Sequence, residues 1–83
     1  MSIYTDIGQN IVSLRRKKGI TQEQLALNSN TSISHLRSIE HGRANPSVGL
    51  LSRIADTLGE PLLNMLIPPE LPPGAMDRED KEG

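Results

Sequence analysis

The stretch Thr21 to Ser47, reading TQEQLALNSNTSISHLRSIEHGRANPS, holds the side chains best suited to surface chemistry in this chain of 83 residues. It contains two short helical patterns joined by a tight polar turn. The second presents Ser32, Ser34 and Ser38 where most amphipathic helices place long charged residues. A helix furnished in this way is built to lie against something: compact hydroxyls permit close approach and both donate and accept hydrogen bonds. Arg37, in the same helix, adds a planar fork of donors. Catalysis is a poor fit. The chain has no G-x-x-x-x-G-K-[ST] phosphate loop, no G-x-S-x-G and no H-E-x-x-H. His35 and His41 are six residues apart, whereas a chelating pair on one helix face needs i, i+4 spacing. The chain is therefore expected not to be an enzyme, and neither a metal nor a cofactor is expected.

The elements that must position these side chains are legible from their ends. Thr21 is placed to N-cap a helix beginning at Gln22, and Gln24, three residues on, can complete a capping box. Leu25 and Ala26 supply the apolar face. The pattern stops at Asn28-Ser29-Asn30-Thr31, where Asn30 is the best non-glycine candidate for a left-handed backbone position. Ser32 caps a second helix in which Ile33, Leu36, Ile39 and Glu40 follow an i, i+3, i+6, i+7 rhythm, and Gly42 ends it. Two helices joined by so short a turn make a helix-turn-helix, whose second helix can enter the DNA major groove.

The ordered set Arg15, Gly19, Thr21-Gln22, Leu25-Ala26, Ser32, Leu36, Ile39-Glu40, Gly42, Pro46-Ser47, Leu51, Ile54-Ala55 and Leu58-Gly59 covers Ile7 to Leu66. It resembles the Cro/C1-type (XRE-like) helix-turn-helix family of phage repressors and bacterial regulators. The resemblance implies an all-α, compact, five-helix, lambda-repressor-like DNA-binding domain with the helix-turn-helix as its second and third helices. It implies a sequence-specific transcriptional regulator on double-stranded DNA, in the first place a repressor, bound to a palindromic operator as a homodimer. In register with the family, Ser32, Ile33, Ser34, Arg37 and Ser38 read base edges. Arg37 is the most able to specify a base, through a bidentate contact with guanine O6 and N7. Ile33 has two readings, a thymine methyl contact or a place in the core. Thr21, Gln22, His41, Arg43 and Asn45 are expected beside phosphates, with the free N–H groups of the second helix's first turn. Arg15 is expected to pair with Glu40, joining the first helix to the third. Ser29 stands where the family commonly has a small apolar residue, so looser packing between the second and third helices is expected.

Around this unit the chain reads as one domain, 1–67, and a Pro-rich, acidic, flexible tail, 68–83. Ser2 to Lys18 forms a first helix with Ile3, Ile7, Ile11 and Leu14 along one face, Ser2 or Thr5 as its cap, and Gly19 as its stop. Ser47 caps a fourth helix carrying Val48, Leu51, Ile54, Ala55 and Leu58 into the core, closed by Gly59. Pro61 opens a short fifth helix, Leu62 to Leu66 or Ile67, apolar nearly all round. Leu63, Asn64 and Ile67 are assigned to a dimer surface, the alternative being that the Pro-rich segment folds back over it. A reading of a different class is a protein-interaction module, such as an antitoxin of the same fold. It would dock a protein partner through the fifth helix or the tail and keep DNA binding for autoregulation.

The net charge of −1 does not count against a nucleic-acid partner, because its distribution is uneven. Six basic residues stand against two acidic ones between Arg15 and Arg43, while Asp77, Glu79, Asp80 and Glu82 outweigh Arg78 and Lys81 in the tail. There is no cysteine, hence no disulfide framework. No run approaches the ~20 apolar residues of a membrane span, and MSIYTDIGQN lacks a signal-peptide layout. A cytoplasmic location and no membrane association are expected.

Overall fold

Four hydroxyl side chains start four of the five helices. The computed structural model describes residues 2–69, and among them there are five α-helices and no strand. These are α1 (Ile3–Lys17), α2 (Gln22–Asn28), α3 (Ile33–Glu40), α4 (Val48–Leu58) and α5 (Leu63–Leu66). Ser2, rather than Thr5, caps α1 by accepting from the Tyr4 N–H. Thr21 and Gln24 form the reciprocal capping box of α2, Ser32 accepts from His35 N–H at α3, and Ser47 accepts from Leu50 N–H at α4. Each cap satisfies a backbone donor that the first helical turn would otherwise leave unpaired. α5 has no such cap and is the shortest helix, starting one residue later than the sequence suggests. Asn30 takes the left-handed conformation, φ 59°, that turns the chain from α2 to α3.

The core is a single cluster drawn from every helix: Ile7, Ile11 and Leu14; Leu25 and Ala26; Leu36 and Ile39; Leu50, Leu51, Ile54, Ala55 and Leu58; and Met65. Two assignments to it are corrected. Ile3 is 52% exposed and Val48 is 71% exposed. Each is the first residue of its helix, where the apolar stripe continues in sequence but the surrounding elements have ended. Leu50 takes the place that Val48 was assigned. Ser29 is fully buried, and its hydroxyl meets Thr57 Oγ1 of α4 at 3.5 Å while its carbonyl accepts from Arg53 Nε at 2.9 Å. The turn is thus fastened to α4 chiefly through the Ser29 backbone carbonyl.

α1 lies between α3 and α5. On the α3 side the two backbones touch: a Cβ on Gly8 would sit 2.5 Å from the Glu40 carbonyl oxygen and 2.6 Å from that of Ile39, so only glycine fits. Just beyond, Gly42 at φ 74° closes α3 with Thr5 packed against it. On the α5 side the buried Asn10 amide donates to the carbonyls of Met65 at 2.8 Å and Ile67 at 2.6 Å. Lys18 and Glu60 pair at 3.3 Å at the same edge. Most of the tail expected from residue 68, namely 70–83, lies outside the described residues.

Candidate nucleic-acid interface

α3 has two chemically distinct sides. Leu36, Ile39 and Glu40 are buried, whereas Ser32, Ser34, His35 and Arg37 are exposed and Ser38 is half-buried. Ile33 divides between its two readings: it is half-buried and packed against the core, with the remainder of its surface open. Ser32 keeps its hydroxyl hydrogen available while its oxygen accepts from His35 N–H at 3.0 Å. The chain leaves α3 with Arg43 N–H donating to Ser38 O at 2.9 Å, and the Arg43 and Asn45 side chains are exposed.

Behind α3 runs a chain of side-chain hydrogen bonds. Arg15 Nε donates to Glu40 Oε2 at 2.7 Å and Arg15 Nη2 to Glu40 Oε1 at 3.3 Å. The two side chains are 11% and 3% exposed, so this ion pair between α1 and α3 is largely out of water. Arg15 Nη1 also donates to the Ile20 carbonyl at 3.1 Å. Gln22, at the first position of α2, donates from Nε2 to Glu40 Oε1 at 2.8 Å, and its Oε1 accepts from Arg37 Nε at 3.2 Å. The sequence placed Gln22 beside phosphate; in the folded domain its amide already serves two side-chain partners. Nothing local announces this, because the partners are 18 and 15 residues away.

His41 is exposed, and its Nδ1 lies 2.8 Å from the Arg37 carbonyl, which can only accept, so Nδ1 carries a proton. At the start of α2, capping uses Gln24 N–H, and Leu25 N–H bonds to Thr21 O, which leaves the N–H groups of Gln22 and Glu23 without an intrahelical acceptor. The basic patch is smaller than a count of charges suggests. Arg15 is committed to Glu40 out of water and the exposed Lys18 pairs with Glu60, leaving Arg16, Lys17, Arg37 and Arg43 as the other exposed members.

The residues assigned to a dimer surface stand apart from this group, on α5 and the residue that follows it. Leu63 is 63% exposed and Ile67 half-buried, while Asn64 Nδ2 donates to Glu60 Oε1 at 2.8 Å. That hydrogen bond and the neighbouring Lys18 hold the Glu60 carboxyl below its ordinary pKa, against the opposing effect of burial.

Residues 11–63 match the family profile of the helix-turn-helix. The chain belongs to the helix-turn-helix family. This is a family of DNA-binding transcription regulators, not of enzymes. An uncharacterized HTH-type transcriptional regulator, y4dJ, of Sinorhizobium fredii is 39% identical over 81% of the chain and 87% of its own length. The immunity repressor protein of Bacillus phage phi105 is 43% identical over 64% of the chain, which spans only 37% of that repressor. Among solved structures, the restriction-modification controller protein C.AhdI of Aeromonas hydrophila superposes with a TM-score of 0.72 at 29% identity. The match covers 75% of this chain and 94% of that one. The clp gene regulator ClgR of C. glutamicum gives 0.75 at 30% identity, over 80% and 86%. In this helix-turn-helix protein no described helix is long and apolar enough to cross a membrane.

Proposed function

We propose that this helix-turn-helix protein binds a palindromic operator as a homodimer, with α3 in the major groove, and represses the promoter that the operator overlaps. The observation that carries the reading is the two-sided α3, whose inner side is fixed by a buried ion pair and whose outer side offers serine hydroxyls and one arginine. Arg37 specifies a guanine, Ser32, Ser34 and Ser38 allow close approach and short hydrogen bonds, and the open part of Ile33 meets a thymine methyl. Thr21, His41, Arg43 and Asn45 set the register on the phosphates. Leu63 and Asn64 on α5, with Ile67 just after it, join the two copies, placing the recognition helices about 34 to 36 Å apart. Repression is favoured over activation by the similarity to a phage immunity repressor.

The test is a random-library DNA selection with purified protein at near-physiological salt, followed by titration of the winning site at several salt concentrations. A palindromic winner bound far more tightly than scrambled DNA is expected. Arg37→Ala changes which bases are tolerated, whereas Arg43→Ala weakens every site alike and lowers the salt slope by about one. Leu63→Asp leaves a monomer in sedimentation. Failure to enrich any site, with only weak binding that vanishes as salt rises, defeats the proposal and favours a protein partner instead.

A further inference from the structure

Gln22 stands between the buried carboxylate of the domain and the arginine assigned to base reading. We propose that Gln22 is a positioning residue for Arg37, acting on DNA through that arginine and not through a phosphate. The inference rests on the reading of α3 as the base-reading helix. Glu40 can only accept and Arg37 can only donate. The amide of Gln22 must therefore turn its NH2 to Glu40 and its oxygen to Arg37, as it does at 2.8 Å and 3.2 Å, and flipping it would break both contacts. Glu40 is in turn immobilised by two bonds from Arg15, which is itself tied to the Ile20 carbonyl. The relay from Arg15 to Glu40 to Gln22 to Arg37 thus begins on buried groups and ends on an exposed one.

The chemistry at the end of the relay suits base recognition. With Nε occupied by Gln22, Arg37 presents Nη1 and Nη2 as its unshared donor pair. A neutral carbonyl restrains the guanidinium without neutralising it, as a carboxylate in the same place would. Holding a rotamer-rich side chain before binding lowers the ordering cost of the complex.

Gln22→Met keeps an unbranched side chain of similar length and removes both hydrogen bonds. It is compared with Arg37→Ala and the double variant by anisotropy titration, using the sequence won in the selection and each single-base change of it. The wild type should prefer the Arg37-specified base by roughly five- to 150-fold. Gln22→Met is expected to reduce that one preference by at least about threefold, leaving the other positions and the salt slope unchanged, and to do nothing further in the Arg37→Ala background. A uniform loss on all sequences, with a salt slope lower by about one and persisting beside Arg37→Ala, makes Gln22 a phosphate contact and overturns the inference. If Arg37→Ala itself alters no base preference, or no sequence is enriched, the underlying reading fails with it. A second measurement needs no variant. In the free wild-type protein the Arg37 Nε–H should exchange with water more slowly than that of Arg43, and equal rates would also overturn the positioning role.

Discussion

α1 holds α3 on one side and α5 on the other, by different means. Against α3 it brings backbone to backbone at Gly8 and adds the Arg15–Glu40 ion pair, so geometry is fixed by sterics and by charge out of water. Against α5 it offers the Asn10 amide, α5 contributes one fully buried methionine, Met65, and the partly exposed Lys18–Glu60 pair lies at the edge. The helix that carries the polar surface is held by close backbone packing and a charge pair out of water, while the helix with the exposed Leu63 is held by side-chain hydrogen bonds and one buried apolar residue. A reading head must keep its side chains in register. A short apolar helix with an open face needs only to be held in place until something covers that face.

The comparison is broken most severely at Glu40. Glu40→Ala strands Arg15 in a site with little water and is expected to cost about 3 to 5 kcal/mol in urea unfolding. Combining Arg15→Met with Glu40→Leu should recover most of that loss, because no charge is then left unpaired. Gly8→Ala comes next. The new methyl meets carbonyl oxygens that belong to α3's own backbone, so the helices must separate. A loss of about 3 kcal/mol from overpacking, less about 1 gained in helix propensity, should appear as a lower unfolding midpoint.

The α5 side should respond more weakly and more locally. Asn10→Ala leaves the carbonyls of Met65 and Ile67 without their donor, which is worth about 1 kcal/mol. Hydrogen exchange should show the amides of Asn64 and Met65 opening while those of α3 stay protected; equal opening of both helices would erase the contrast. The smallest effect expected is one of pH. Because the native state depresses the Glu60 pKa, the stabilisation is complete above the unfolded-state value of about 4.3 and is lost as pH falls through the native value. Protection of the α5 amides, measured relative to their intrinsic exchange rates, should thus fall in acid, and Glu60→Gln should abolish that fall.

Much of this organisation is legible one turn at a time. Ser2, Thr21 with Gln24, Ser32 and Ser47 mark helix starts, and Asn30 marks the turn, because each acts on backbone groups within a few residues of itself. Periodicity identifies Ile7, Ile11, Leu36, Ile39, Leu51, Ile54 and Leu58 as core, since a helix repeats its face every three or four residues. It also misplaces Ile3 and Val48, because a stripe in sequence carries no information about where the neighbouring helices end. Gly8, a glycine inside a helical pattern, is a visible sign of close packing but does not say which helix comes close. Asn10 gave no comparable sign: its partners are 55 and 57 residues away.

The sequence by itself determined the helices, their caps, the left-handed turn and the helix-turn-helix unit, all of which are decided by interactions within one or two turns of chain. Only the tertiary structure decided that Gln22 joins Glu40 to Arg37, that Ser29 and Arg53 fasten the turn to α4, and that Asn10 clasps α5. These contacts join groups far apart along the chain. Each depends on the angle and distance at which whole helices pack, and a local pattern of residue types does not encode that geometry.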